Sequence, residues 1–150
     1  RRELDLSLLL ELVCSLAIGG ALGKSGTATV IAGGLISMGK LMGPVGVLAA
    51  LFMVTIMLTS LITNAAAVSI VFPIAMSMAE QLQLSYTPFF VAIAFAASGD
   101  FMTPIGYQTN LIVYGPGGYT FKDFIRVGWI FTLLYIVVCV SFISWFYKLI

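Results

Sequence analysis

The chain is a series of apolar runs cut at a few fixed points. Residues 6–22 are apolar except for Glu11, Ser7 and Ser15. At about 1.5 Å per residue this length just crosses the hydrocarbon core of a bilayer, so the pattern predicts a membrane span. Gly23-Lys24-Ser25-Gly26 ends it. Residues 27–38 are β-branched, glycine-bearing and too short to cross, which predicts an arm along the membrane surface. Gly43-Pro44 opens the next run, with proline in the first turn, where its missing N–H is an orphan in any case. This helix is expected to reach about Ile62, where Thr63-Asn64 interrupts it, and a second arm is expected from Ala65 to about Glu80. Such an arm is short for a crossing, so residues 43–80 are expected to form a re-entrant hairpin tipped by Thr63-Asn64; two full crossings joined by a tight turn are the alternative.

Gln81 to Thr87 reads as a polar loop. Residues 88–114 read as one broken transmembrane helix. A half-length helix is expected from Pro88 to about Phe101, then Thr103-Pro104-Ile105-Gly106 interrupts it, because proline removes a helical hydrogen bond and clashes one turn back. Leu111 to Tyr114 resumes the apolar run, and Gly115-Pro116-Gly117-Gly118 is a loop. Residues 127–148 form the final span, uncharged until Lys148. Thr-Asn thus occurs twice, at 63–64 and 109–110, each time within a greasy stretch. Backbone at membrane depth leaves the helix only where protein or a water-filled cavity satisfies it. Two interrupted apolar segments in one chain point to the substrate site of a secondary transporter.

Composition turns the spans into a class. The chain is 61% hydrophobic and 9% charged, with a mean hydropathy of +1.11, against about 25% charged in a soluble domain. It reads as an all-α integral membrane protein whose partner is the lipid bilayer. No basic cluster suggests nucleic acid, and with no histidine a conventional His-rich metal site or His acid–base catalyst is absent. No Ser/His/Asp set, metal cluster or phosphate loop supports an enzyme. Cys14 and Cys139 fall in apolar spans and read as small buried hydrophobes. The start, Arg1-Arg2-Glu3-Leu4-Asp5, lacks the pattern of a signal peptide and has no initiator Met, so the chain reads as the later part of something longer. If the 27–38 arm stays on one face, Arg1, Arg2, Lys122 and Arg126 share one side, and Lys24, Lys40 and Lys148 the other. Four against three places the N-terminus in the cytoplasm, in a plasma or inner membrane. Tyr86, Phe89 and Phe90 at one interface, and Tyr119, Phe121, Phe124 and Trp129 at the other, read as aromatic belts.

The interruptions carry the candidate chemistry. With a helix starting at Ala65, Thr63 or Asn64 is its N-cap. Its free N–H groups and positive dipole end can hold an anion, while the last carbonyls of the preceding helix suit Na+. A polar turn satisfied by its neighbours is the plainer alternative. At the second break Thr103 can cap, Pro104 can take the first helical position, and Gly106 permits close backbone approach. Gln108, Thr109 and Asn110 add neutral oxygens and amides, which bind a divalent anion without a full countercharge and leave neutralisation to co-bound cations. A kink with no ligand is the alternative here. Asp100 is the acid beside this break. It is expected either to couple an ion, Na+ or a proton, or to sit in an aqueous vestibule or cap the turn. Glu11 either faces the missing part of the protein or reaches interfacial water.

The run Thr103-Pro104-Ile105-Gly106-Tyr107-Gln108-Thr109-Asn110-Leu111-Ile112-Val113-Tyr114-Gly115-Pro116-Gly117-Gly118-Tyr119, followed by Phe121-Lys122-Asp123-Phe124 and Arg126-Val127-Gly128, strongly resembles the C-terminal part of the divalent anion:sodium symporter family. It looks closest to the branch of permeases that carry TrkA-C domains. The resemblance covers nearly the whole chain from about Leu6. In that family a Ser-Asn-Thr motif tips each of two hairpins. The matching residues here are Thr63-Asn64-Ala65, in which Ala65 lacks the hydroxyl. The family's Thr-Pro break looks like Thr103-Pro104, and Asn110 like its downstream asparagine, with an insertion that suggests a substrate other than a typical dicarboxylate. The resemblance implies the ion-transporter-superfamily fold, of which this chain is one inverted-repeat half. It also implies an N-terminal repeat of the same protein as partner, a homodimer, and elevator-type alternating access.

These readings converge on sodium-coupled symport of a small inorganic or dicarboxylate anion, sulfate first and dicarboxylate second. Na+ is expected near Asn64 and Thr103. Two rivals stand beside this reading: a cation/proton antiporter or arsenite-type exporter, for which Asp100 is the discriminator, and a transporter-like sensor or assembly subunit that does not transport.

Overall fold

The computed structural model describes residues 6–106 and 108–149, apart from the side chains of Leu8 and Gln108. Its helices are α1 (Leu6–Lys24), α2 (Thr27–Gly39), α3 (Gly43–Thr59), α4 (Asn64–Leu82), α5 (Tyr86–Ala97), α6 (Gln108–Tyr114) and α7 (Phe121–Phe146), with one 3-10 turn at Lys40–Met42 between α2 and α3. No strand occurs among the described residues. The fold is all-α, as an apolar chain that must satisfy its own backbone requires.

Among the described residues three stretches are long and apolar enough to cross a membrane: Thr27–Thr59, Asn64–Leu82 and Phe121–Phe146. The first is not one straight rod. Gly43 takes φ 65°, a conformation that favours glycine. The backbone of Gly39 also lies so close to that of Gly46 and Val47 that a Cβ at Gly39 would collide with it. Residues seven apart on a straight helix are about 10 Å from one another, so α2 doubles back along α3. The 27–38 arm is therefore a helix that buries Ala28, Ala32, Leu35 and Gly39 against α3 and α4 while exposing Val30 and Met38.

Several boundaries move. α3 stops at Thr59, three residues short of Ile62, because the next N–H groups fold into a turn on the carbonyls of Ile56 and Leu58. α4 runs to Leu82, where Gln83 takes the left-handed conformation (φ 55°) and closes the helix. Its 19 residues are long enough to cross, so shortness no longer argues for re-entry. α5 ends at Ala97 and α6 begins at Gln108, which widens the break to include residues 98–106. α7 starts at Phe121 rather than Val127, because the Asp123 carboxylate accepts from the Thr120 N–H (2.8 Å) and hydroxyl (2.7 Å) and caps the first turn. Cys14 is exposed, contrary to expectation, because its side of α1 faces away from α4; Cys139 is half-buried.

The core lies where α3, α4 and α5 meet, around Leu48, Leu51, Phe52, Val71, Met78 and Phe89. Lipid offers apolar side chains no worse a home than protein, so association here depends on close packing of small residues. Ala66, Ala67, Ala75 and Ala79 of α4 and Ala92, Ala96 and Ala97 of α5 are all buried. α1 packs chiefly along α4, with Gly19 against the Ser69 carbonyl. α7 covers α3 and α5.

Candidate functional site

The turn between α3 and α4 and the break between α5 and α6 meet in one place. Thr63 caps α4, its hydroxyl accepting the Ala66 N–H at 3.4 Å, and it donates to the Glu11 carboxylate of α1. Glu11 thus touches the tip itself. With Thr63 as N-cap, the N–H groups of Asn64 and Ala65 are among those a helix leaves without an intrahelical acceptor, at its positive end. Ala65 is exposed there and Asn64 half-buried.

Asn64 faces inward. Its Oδ1 lies 2.7 Å from the hydroxyl of Thr59, which is fully buried and also 3.0 Å from the Ala97 carbonyl at the end of α5. A hydroxyl has one proton, so three oxygens share a single hydrogen here.

The second break has the same character with a charge added. Asp100 is 3% exposed, so it lies at the junction and in no vestibule. Its Oδ1 accepts from the Ser60 hydroxyl (3.0 Å) and the Thr103 N–H (3.3 Å). The Thr103 hydroxyl lies 2.8 Å from Asp100 Oδ2 and 3.0 Å from the Ser60 carbonyl, again one proton between two acceptors. Gly106 presses so closely that a Cβ there would strike both Asp100 Oδ2 and the Thr59 carbonyl. Asn110 reaches back from α6, its amide donating to the carbonyls of Thr103 (3.0 Å) and Asp100 (3.3 Å).

Among the predicted site residues, Thr63, Asn64, Asp100, Thr103, Gly106 and Asn110 come together, with Pro104 buried beside them. Thr103 does not cap a helix at Pro104: residues 104–106 bend without forming a helical turn, and its hydroxyl accepts the Gly106 N–H at 3.4 Å instead. Thr109 is exposed on α6. Tyr107 and the side chain of Gln108 lie outside the described residues, as does the charged start of the chain. Thr59 and Ser60 are additions that sequence reasoning missed. Their signal was a second polar pair, Thr59-Ser60, within the apolar run just before Thr63-Asn64.

α7 braces the break from behind. Gly128 lies against the Phe101 carbonyl, Gly99 against the Tyr135 ring, and the Tyr135 hydroxyl donates to the Phe95 carbonyl at 2.9 Å. Phe101, Asn110, Tyr119, Phe124, Val127 and Gly128 line an open, mainly apolar cavity of about 910 Å³ between the break, α6 and α7.

The citrate transporter family model matches residues 2–150. The chain is 39% identical over 146 residues to a Chlamydomonas reinhardtii protein named as a candidate sulfur deprivation response regulator, covering 95% of this chain and 25% of that one. It is 42% identical over 111 residues to an uncharacterised transporter of Synechocystis, covering 74% of this chain and 18% of that one. To sodium/sulfate cotransporter 1 of Chlamydomonas reinhardtii it is 36% identical over 129 residues, with 85% of this chain and 15% of that one covered. The chain therefore spans no more than 25% of the length of these relatives. A match over nearly every residue, on a helical membrane fold, places this chain in the citrate transporter family of divalent anion:sodium symporters, a family of transporters and not of enzymes.

Proposed function

We propose that the full-length protein is a sodium-coupled symporter of a divalent anion, sulfate first and dicarboxylate second. One observation carries this reading: two proton-poor oxygen clusters meet at the positive end of α4. Oxygens that share too few protons are a poor solvent for themselves and a good one for a small hard cation. The N–H groups of Asn64 and Ala65 offer an anion what the oxygens offer a cation. In this reading Thr63, Asn64, Ala65, Gly106, Gln108, Thr109 and Asn110 surround the anion, and Na+ sits by Asn64 and Thr59. Residues 43–80 form the re-entrant hairpin and 88–114 the broken helix of a moving transport domain, completed by an N-terminal repeat in a homodimer, with this chain's N-terminus cytoplasmic. The printed name of the Chlamydomonas cotransporter supports sulfate and Na+.

The test is uptake of radiolabelled sulfate by the full-length protein in proteoliposomes, with and without an inward Na+ gradient, beside an Asn64→Ala variant. Na+-stimulated uptake that the variant loses is the expected result. Uptake driven instead by a proton gradient would replace Na+ coupling with proton coupling. A second reading, a sulfur-status sensor that binds but does not transport, is favoured by the name of the other Chlamydomonas relative. Sulfate binding by folded protein without uptake would establish it.

A further inference from the structure

We infer that Asp100 anchors a second monovalent-cation site in this half of the protein, separate from the neutral site at the hairpin tip. The inference rests on the symport reading only for the identity of the ion.

Burial comes first. Asp100 is 3% exposed, and its recorded partners are Ser60, Thr103 and, through its own carbonyl, Asn110, none of them cationic. The chain has no histidine. Among the described residues no lysine or arginine pairs with Asp100. A carboxylate taken out of water without a countercharge is costly.

Donors around Asp100 are few. A carboxylate has about four lone-pair directions. Oδ1 receives the Thr103 N–H and lies 3.0 Å from the Ser60 hydroxyl, whose one proton the Ile56 carbonyl at 2.9 Å also claims. Oδ2 receives only the hydroxyl proton of Thr103, which the Ser60 carbonyl also claims. The Thr59 carbonyl lies on the same side of Gly106 as Oδ2, and a side chain at position 106 would fill the space between them. Asp100 Oδ2, the Thr103 hydroxyl, and the carbonyls of Ser60 and Thr59 are thus four oxygens that share the Thr103 hydroxyl proton and one long contact from the Gly106 N–H (3.4 Å), beside a glycine that leaves no side chain between them. The tip cluster uses different atoms: the Thr59 hydroxyl and Asn64 Oδ1 beside the turn, and the Ala97 carbonyl at the end of α5.

The two sites share Thr59, one through its carbonyl and the other through its hydroxyl. A cation in either one fixes that residue for the other, so the two should fill cooperatively. The Asp100 carboxylate adds a buried negative charge beside the tip, so a divalent anion bound nearby is accompanied by cations at both.

The experiment is direct Na+ binding to purified full-length protein, using radioactive Na+, for wild type, Asp100→Asn and Asn64→Ala. Wild type is expected to bind one more Na+ than Asp100→Asn, with a steeper saturation curve. Asn64→Ala is expected to lose the other. If Asp100→Asn binds as many Na+ as wild type with the same half-saturation, the second site is overturned. If Asp100→Asn does not fold, Thr103→Val tests the same site with the carboxylate intact; a rise in half-saturation of about tenfold is expected for one lost oxygen ligand beside a charge, and no change overturns the site. Na+ binding that depends on Asp100 in a protein that moves no anion would sink the symport reading and leave the site standing. Na+-driven uptake unchanged in stoichiometry by Asp100→Asn would do the reverse.

Discussion

The two interruptions of the helical ladder use similar residues but are satisfied in opposite ways. The turn between α3 and α4 largely closes on itself. The N–H groups of Ser60, Leu61 and Ile62 bond to the carbonyls of Ile56 and Leu58, and Thr63 caps the helix it begins. The break between α5 and α6 leans on others: Ser60 holds Asp100 and Thr103 from across the fold, Asn110 ties down two carbonyls, and α7 lays Gly128 against the Phe101 carbonyl. The backbone of the turn is local structure, although the Thr59, Ser60 and Thr63 hydroxyls also reach Ala97, Asp100 and Glu11. The break depends more on the assembled fold, because Asp100 and Thr103 are held by Ser60 from another helix end. Damage to the turn should therefore stay near it, while damage to the break should reach the whole site.

The largest effect is expected at Gly106. Valine there would drive its side chain into the Asp100 carboxylate and the Thr59 carbonyl, so Gly106→Val should destabilise by about 3 kcal/mol and abolish uptake by the full-length protein. Retention of normal uptake would mean that the break does not rest on the turn. Next comes Gly128→Leu, whose side chain meets the Phe101 carbonyl. It should cost about 2 kcal/mol, read as a lower thermal unfolding midpoint in detergent, and weaken Na+ binding although it lies behind the site. Unaltered Na+ affinity in this variant would show that the brace is dispensable.

Smaller effects test the other side of the comparison. Thr63→Ala removes a cap and should cost about 1 kcal/mol. Faster amide exchange is expected in the first turn of α4 but not at residues 98–106; a spread to the break would contradict the local character of the turn. Tyr135→Phe deletes the hydroxyl that reaches the Phe95 carbonyl. It should lower stability by about 0.5–1 kcal/mol while leaving uptake within about twofold of wild type, and a larger loss would give α7 a role beyond bracing.

Much of this was legible before any coordinates. Thr63-Asn64 and Thr103-Pro104 stand out because polar residues and proline inside apolar runs are local anomalies, and both breaks lie where they were expected. The boundaries were less legible for local reasons too. Lys122 and Asp123 precede the expected span, yet Asp123 caps the helix that contains it. Thr59-Ser60 looked like ordinary helix content, since hydroxyls are tolerated there when they bond one turn back, as Ser60 does to Ile56 at 2.9 Å. Thr103 looked like a cap because it precedes proline, but its hydroxyl is drawn to Asp100 and the Ser60 carbonyl.

The sequence by itself determined the all-helical membrane class and the position of each interruption, because apolar run length, proline and Thr-Asn pairs act over a few residues, while the long motif from Thr103 to Gly128 carried the family resemblance. Only the tertiary structure decided which polar groups face one another: Ser60 with Asp100, Thr59 with Ala97, Gly106 with both sides of the junction. The reason is the apolar uniformity of the helices. α3 carries hydrophobic residues on every side, so its pattern does not say which face will meet α5. That choice is made by small residues packing closely where helices cross.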